Sequence, residues 1–316
     1  MIEDAWFLYL LPRYHDCRKH ISGDSWWYEQ IVNTILEDGD LNMENNIEKK
    51  NHLHGQLAMS KDGYLAPKHS IFFPIATIPF FYIFGSIGAM YFNLLLVICI
   101  NLLVFAINRV FFNKEVSLIT TFLFATGTII MNYSYNYLGE VFSTFLLAWG
   151  FLFVIKQKYY WAVLLLSLSC FAKVSNVVWV SLMLMYILWD FVKNRTDWKL
   201  KEEILKSVKE YFSIIFLFIL GLFPFFITNY LLYGGPFTTG YHRVVFPDVD
   251  FNLILSNGAD GFNQDLLSGL RNLLFDNQIG VLEANPVILV SLVGIFLIKK
   301  MTNIPVAILS LVIIYF

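Results

Sequence analysis

The sequence predicts an all-α protein: a polytopic bundle of transmembrane helices, with juxtamembrane helices in its first outer loop. Three observations carry that reading. Of the 316 residues, 57% are hydrophobic and 15% charged, with a mean hydropathy of +0.60, whereas a soluble domain carries about 25% charged residues. Several apolar runs reach the ~20 residues that a bilayer crossing requires. Between those runs the lysines and arginines gather in short clusters, as loops on one membrane face do. The net charge of −2 says little about partners, and nothing points to nucleic acid. Cys17, Cys99 and Cys170 are scattered, giving neither a disulfide framework nor metal spacing. There is no fixed-period repeat, Walker loop, GxGxxG or zinc pattern.

The chain opens with AWFLYLL (Ala5 to Leu11) ahead of Pro12, too short to span or to serve as a signal-peptide core. It closes inside an apolar run, NIPVAILSLVIIYF. The expectation is a piece of a longer protein, lacking most of a first span and whatever follows Phe316. Residues 22–87 form the first polar insertion. Asp24 to Asp38 reads as an amphipathic helix, with Trp27, Tyr28, Ile31, Val32, Ile35 and Leu36 at helical spacing on one face. Glu29, Gln30, Asn33 and Glu37 take the other face. An aromatic-rich helix of this kind suits the interface plane. EDGD (Glu37 to Asp40) ends it, and Asn42 to Tyr64 is polar and loop-like.

Ile71 to Gly85 is apolar but contains Pro74 and Pro79. It reaches about 22 Å against a hydrocarbon core of about 30 Å, so it is either a short kinked span or a re-entrant helix, and its length and two prolines favour the one that does not cross. Arg109 with Lys114, Lys156 with Lys158, the cluster Lys193 to Lys209, and Lys299 with Lys300 are assigned to the cytoplasmic side. Spans are expected near 88–108, 116–137, 139–155, 159–173, 174–192, 211–233 and 284–298. A tight outer turn at AKVSN (Ala172 to Asn176) divides a run too long for one span. Residues 234–283 form a second outer loop. Arg13, Arg18 and Lys19 then fall outside, against the charge rule.

Few residues in such a chain can carry chemistry. Asp24 is either a helix N-cap, which Asp favours, or a base at the membrane surface. Glu140 opens an apolar run, GEVFSTFLLAWGFLFV. Ionisable residues there are costly and usually functional, although a helix N-terminus also favours a carboxylate. Lys68, in APKHS, and Lys173, between two apolar runs, are candidate anion binders. For both the plainer account is a snorkelling lysine. His52, His54, His69 and His242 are not spaced as a metal set. Arg243, in TGYHRVV, is a candidate phosphate or substrate contact.

One order of features carries a resemblance. It runs from a GD beside aromatics, through a helix and DGD, to DGYLAPKH and an apolar segment ending FG. Two spans follow, and then an acid at the head of the next. This order resembles the GT-C membrane glycosyltransferases, above all the phospholipid-carrier-dependent lipid A aminoarabinose transferases and protein O-mannosyltransferases. Most of the chain is covered. In those families an Asp-Glu pair opens the first outer loop, where this chain has Asp24 and Ser25, and the proline beside Lys68 precedes it as Pro67. The resemblance implies one GT-C-like domain over 1–316. It also implies a polyprenyl-phosphate sugar as donor and a catalytic face outside the cytoplasm of a multi-pass cell-membrane protein. It assigns Asp24 and Glu140 to catalysis, with Tyr64, Lys68, His69, Lys173 and Arg243 as substrate-binding candidates. No cofactor is certain, and a divalent metal at Glu140 is left open. Sugar and acceptor are not specified.

The chemistry fits those residue types. An acceptor hydroxyl needs a positioned base, for which a carboxylate suffices. The departing phosphate needs positive charge rather than a second acid. A transporter or lipid-carrier flippase is the rival reading, with Glu140 and Lys173 lining a path. The internal repeats that transporters commonly show are not seen. A non-catalytic membrane scaffold is the third. The topology makes the first prediction. Single cysteines placed at Asn46 and Asn257 should both be modified by an impermeant thiol reagent on whole cells; modification of only one breaks the span count.

Overall fold

The computed structural model describes residues 23–46, 55–193, 201–247, 253–255, 265–275 and 285. The described chain is mostly helical. Helix α1, Asp24–Glu37, buries Trp27, Tyr28, Ile31 and Val32, as the spacing predicts. Glu29 departs from its expected place on the solvated face. It is buried and accepts a hydrogen bond from the Ser86 hydroxyl, at the first residue of a later helix. A carboxylate is favoured there by the orphan N–H groups of the helix end. The cap of α1 is Gly23, so Asp24 belongs to the first turn and is not the N-cap.

The stretch expected to be loop-like over Asn42 to Tyr64 contains a strand. β1, Leu57–Met59, pairs antiparallel with β2, Leu65–Pro67. Ser60 closes the turn between them: its N–H donates to the Tyr64 carbonyl at 2.9 Å and its Oγ accepts from the Tyr64 N–H at 3.1 Å. Two strands of three residues are below the length at which alternation is readable.

Helix α2, Phe72–Phe84, carries Pro79 inside it and is one of the apolar helices shorter than a full membrane crossing. Phe72 stacks on Phe171 at 4.8 Å, and the helix ends at Gly85 beside Ser86. Helix α3, Ser86–Phe111, packs against it so closely that a Cβ on Gly88 would lie 2.0 Å from the Phe80 carbonyl oxygen.

Helix α4, Lys114–Gly127, is capped by Asn113, whose side chain accepts from the Val116 N–H at 2.9 Å. The single span expected over 116–137 is broken. Thr128 is extended, a 3₁₀ helix covers Ile129–Tyr135, and the two segments bend by 64°. The break follows a glycine, and the Thr128 hydroxyl offers the backbone a local partner in place of the helix ladder. Helices α5, Gly139–Ile155, and α6, Tyr159–Ala172, form a hairpin. The expected turn at Ala172 to Asn176 is a 3₁₀ turn, Val174–Asn176, ahead of α7, Val177–Lys193. Helix α8, Lys201–Tyr233, begins ahead of the expected 211.

Two described helical stretches are long and apolar enough to cross a membrane, Ser86–Phe111 and Lys209–Tyr233, with the bent pair as a third. The remaining apolar helices are shorter. The span expected near 284–298 lies outside the described residues, apart from residue 285.

The two polar segments dock on each other. Ala58 of β1 bridges to Val244, and Arg243 donates from Nε to the Met59 carbonyl at 2.6 Å and from an Nη to the Ser60 carbonyl at 3.1 Å. The Lys61 N–H donates to the Leu232 carbonyl at 2.7 Å, and the Tyr233 hydroxyl to the Pro67 carbonyl. Beyond Arg243, β3, Val245–Pro247, pairs with β4, Leu253–Leu255. α9, Leu266–Phe275, lies further along the second loop.

Candidate functional site

A cavity of about 670 Å³ opens where these segments meet the helix ends. Asp24, Lys68, His69, Glu140 and Lys173 all line it. Each arrives by a different route. The first turn of α1 supplies Asp24, and the segment after β2 supplies Lys68 and His69. Glu140 comes from the first turn of α5 and Lys173 from the residue after α6. The floor is apolar, with Phe171, Phe225 and Leu232.

The 3₁₀ helix Gly240–Arg243 covers the cavity. It approaches closely only because residue 240 is glycine: a Cβ there would lie 2.5 Å from the Lys68 carbonyl oxygen. Thr239 starts this helix in a capping box with His242.

Lys68 is half-buried and held. Its Nζ donates to the Gly55 carbonyl at 2.9 Å and sits 5.5 Å from the Tyr241 ring centroid. Burial lowers the affinity of the Lys68 amine for its proton, and Asp24 opposes that shift. His69 Nε2 lies 2.8 Å from Gln56 Oε1, and Nδ1 lies 3.0 Å from the Tyr241 hydroxyl. With the amide oxygen accepting, the ring proton belongs on Nε2 and Tyr241 donates to Nδ1. Asp24 Oδ1 is 3.8 Å from the same Nε2. Burial pushes the His69 pKa down to about 4, against the pull of Asp24. His69 is therefore a neutral ring at pH 7.

Glu140 Oε1 accepts from Lys173 Nζ at 3.0 Å, across the mouth of the α5–α6 hairpin. Helix polarity favours both, with the acid at an N-terminus and the cation at a C-terminus. Two candidates fall elsewhere. Tyr64 packs on the small cluster of Ala58, Ala66, Leu232 and Tyr233, and Arg243 spends its guanidinium on the β1 carbonyls. Neither lines the cavity. Among the described residues no group of three His, Cys, Asp or Glu side chains is gathered to hold a metal ion.

Reading the sequence by motif passes over Tyr28 and Tyr241. Tyr28 stands four residues after Asp24, so both lie on one face of α1, a spacing legible in the sequence. Burial, followed by Glu140, Tyr241 and Asp24, holds the Tyr28 phenol well above its ordinary pKa, which keeps it a donor. Tyr241 carries no sequence signal, because only docking of the second segment brings it to His69.

No family model, no curated protein and no solved structure matches this chain.

The buried His69 predicts a pH dependence of stability. An unfolded histidine titrates near ~6.5, whereas His69 in the fold titrates near 4. Between those values the unfolded chain holds the extra proton. Stability from this group is therefore complete above the unfolded value and is lost as pH falls toward 4, by up to about 3 kcal/mol. Thermal unfolding in detergent from pH 7.5 to 4.5 should show a steeper fall for the wild type than for His69→Gln. Parallel profiles would contradict the assignment.

Proposed function

We propose that this chain belongs to an integral membrane glycosyltransferase that moves a sugar from a polyprenyl-phosphate donor to an acceptor hydroxyl outside the cytoplasm. The observation that carries the proposal is the convergence of two carboxylates and two lysines on one cavity at the ends of apolar helices, one of which, Lys209–Tyr233 of α8, is long enough to span a membrane. The order of motifs in the sequence supports the same class.

In this reading the acceptor hydroxyl gives its proton to Asp24 while its oxygen bonds to the anomeric carbon. The bond from that carbon to the phosphate oxygen breaks, and the electron pair leaves with the polyprenyl phosphate. The carrier gains a negative charge, which Lys68 meets from a fixed position. His69 and Tyr28 flank Asp24 and orient it and the acceptor. Glu140, which lines the same cavity, orients the acceptor. The apolar floor excludes water that would otherwise take the sugar.

Two substitutions separate these roles. Asp24→Asn keeps shape, so donor binding should survive while turnover falls about 10²–10⁴-fold, as for a lost general base. Lys68→Ala should weaken donor binding as well as turnover, and Lys68→Arg should restore it only in part, because a planar fork does not replace a point charge. The measurement is donor binding and transfer rate of a labelled polyprenyl-phosphate sugar with the full-length protein in nanodiscs. A folded Asp24→Asn variant that turns over normally would remove Asp24 as the base. Labelled lipid crossing the membrane without transfer would favour a flippase.

A further inference from the structure

The two lysines of the cavity differ in how they are held. Lys68 is fixed by a carbonyl and an aromatic face. Lys173 is an exposed side chain whose ammonium donates to Glu140 Oε1 at 3.0 Å. An ammonium has three donors to offer. The carboxylate is incompletely satisfied: among the described residues Glu140 Oε2 is shut off from solvent and has no hydrogen-bond partner. The side chains of the pair are 46% and 36% exposed, Lys173 first. Pairs this open contribute little, at most about 1 kcal/mol. A finished structural salt bridge would satisfy both oxygens. This one is weak, half-satisfied, and lines the same cavity as the fixed cation.

We propose that Lys173–Glu140 is an exchangeable ion pair: a phosphate ester entering the cavity takes the Lys173 ammonium from Glu140 and thereby frees the Glu140 carboxylate for a second ligand. This rests on the reading of the site as one for an anionic donor. Lys68 then supplies a preorganised contact and Lys173 one that arrives with the ligand. In the empty protein the pair masks both groups. The order of events follows, with the phosphate ester first and a hydroxyl partner at Glu140 second. No bond to carbon forms or breaks in the exchange; one ammonium changes its anionic partner.

A double-mutant cycle tests it, using dodecyl phosphate as probe and the full chain in detergent, read by calorimetry. Glu140→Gln removes the competitor and should tighten binding roughly two- to fivefold, the size of an exposed pair. Lys173→Gln should weaken binding by about tenfold, as for a lost charge-assisted contact. The decisive value is the coupling: in the Lys173→Gln background, Glu140→Gln should no longer tighten binding. An equal gain in both backgrounds would mean general charge repulsion and would overturn the exchange. Should Lys173→Gln fail to fold, Lys173→Met gives the same comparison. Inorganic phosphate is the second arm. Binding equal to that of dodecyl phosphate marks a free-anion site, whereas weaker binding marks a lipid headgroup. If the wild type binds neither, the donor reading falls and the exchange with it. If binding depends on Lys68 but shows no Lys173–Glu140 coupling, only the exchange falls.

Discussion

The docking of the second polar segment on the β1–β2 hairpin is the contact on which the cavity depends. Residues near 60 and near 240 are remote in sequence, and backbone and side-chain hydrogen bonds join them. Arg243 answers the Met59 and Ser60 carbonyls at the end of β1 at once, which a planar fork does with little further loss of freedom. The Ala58–Val244 bridge fixes the register, and Gly240 lets the backbone reach Lys68. Without this contact the cavity keeps its floor but loses Thr239, Tyr241 and His242. Lys68 would then lose the ring beneath its ammonium, and His69 the hydroxyl on Nδ1.

A second feature recurs around the cavity. Each element bearing a charged group is tied to a helix by a polar side chain a few residues away. Glu29 ties α1, and so Asp24, to the start of α3. The Ser70 hydroxyl donates to the Phe171 carbonyl at 2.6 Å beside Lys68 and His69. Asn93 in α3 donates to the carbonyls of Asn136 and Leu138, just ahead of Glu140. Asn176 donates to Ser143 Oγ and to the Ser169 carbonyl, just after Lys173. In apolar surroundings a polar group without its partner is costly, so such contacts specify geometry more sharply than apolar packing does. Aromatic packing fills in around them: Tyr28, Phe73 and Tyr137 meet at ring-centroid distances of 4.9–5.9 Å.

Much of this arrangement was legible in the sequence. The apolar runs gave the helices, and the run 71–85 gave a short one, Phe72–Phe84. Lys68, Glu140 and Lys173 could be singled out because charges are rare in such a chain and each stands at the edge of an apolar run, and Asp24 because it opens an amphipathic helix. What was not legible depends on contacts between distant segments. Glu29 sits on the polar side of its helix in the sequence, and only the start of α3 makes that side buried. Arg243 has the look of an anion contact, and only the bare β1 carbonyls show where its guanidinium goes. Tyr241 reaches His69 across 172 residues, and no periodicity encodes that distance. The break at Thr128 was missed because periodicity reports apolarity along a run and is blind to a single extended residue.

The central claim is that two remote polar segments close one cavity, and a cross-link tests it most directly. Antiparallel bridge partners have Cα atoms about 4.5–5.5 Å apart, within the span of a disulfide. Ala58→Cys and Val244→Cys can be introduced together in a chain whose Cys17, Cys99 and Cys170 are replaced by Ser. After mild oxidation and cleavage at a protease site inserted between α7 and α8, the two pieces should migrate as one without reductant and separate with it. The oxidised protein should still bind dodecyl phosphate. Pieces that separate without reductant, or a cross-linked protein that no longer binds the probe, would contradict the account.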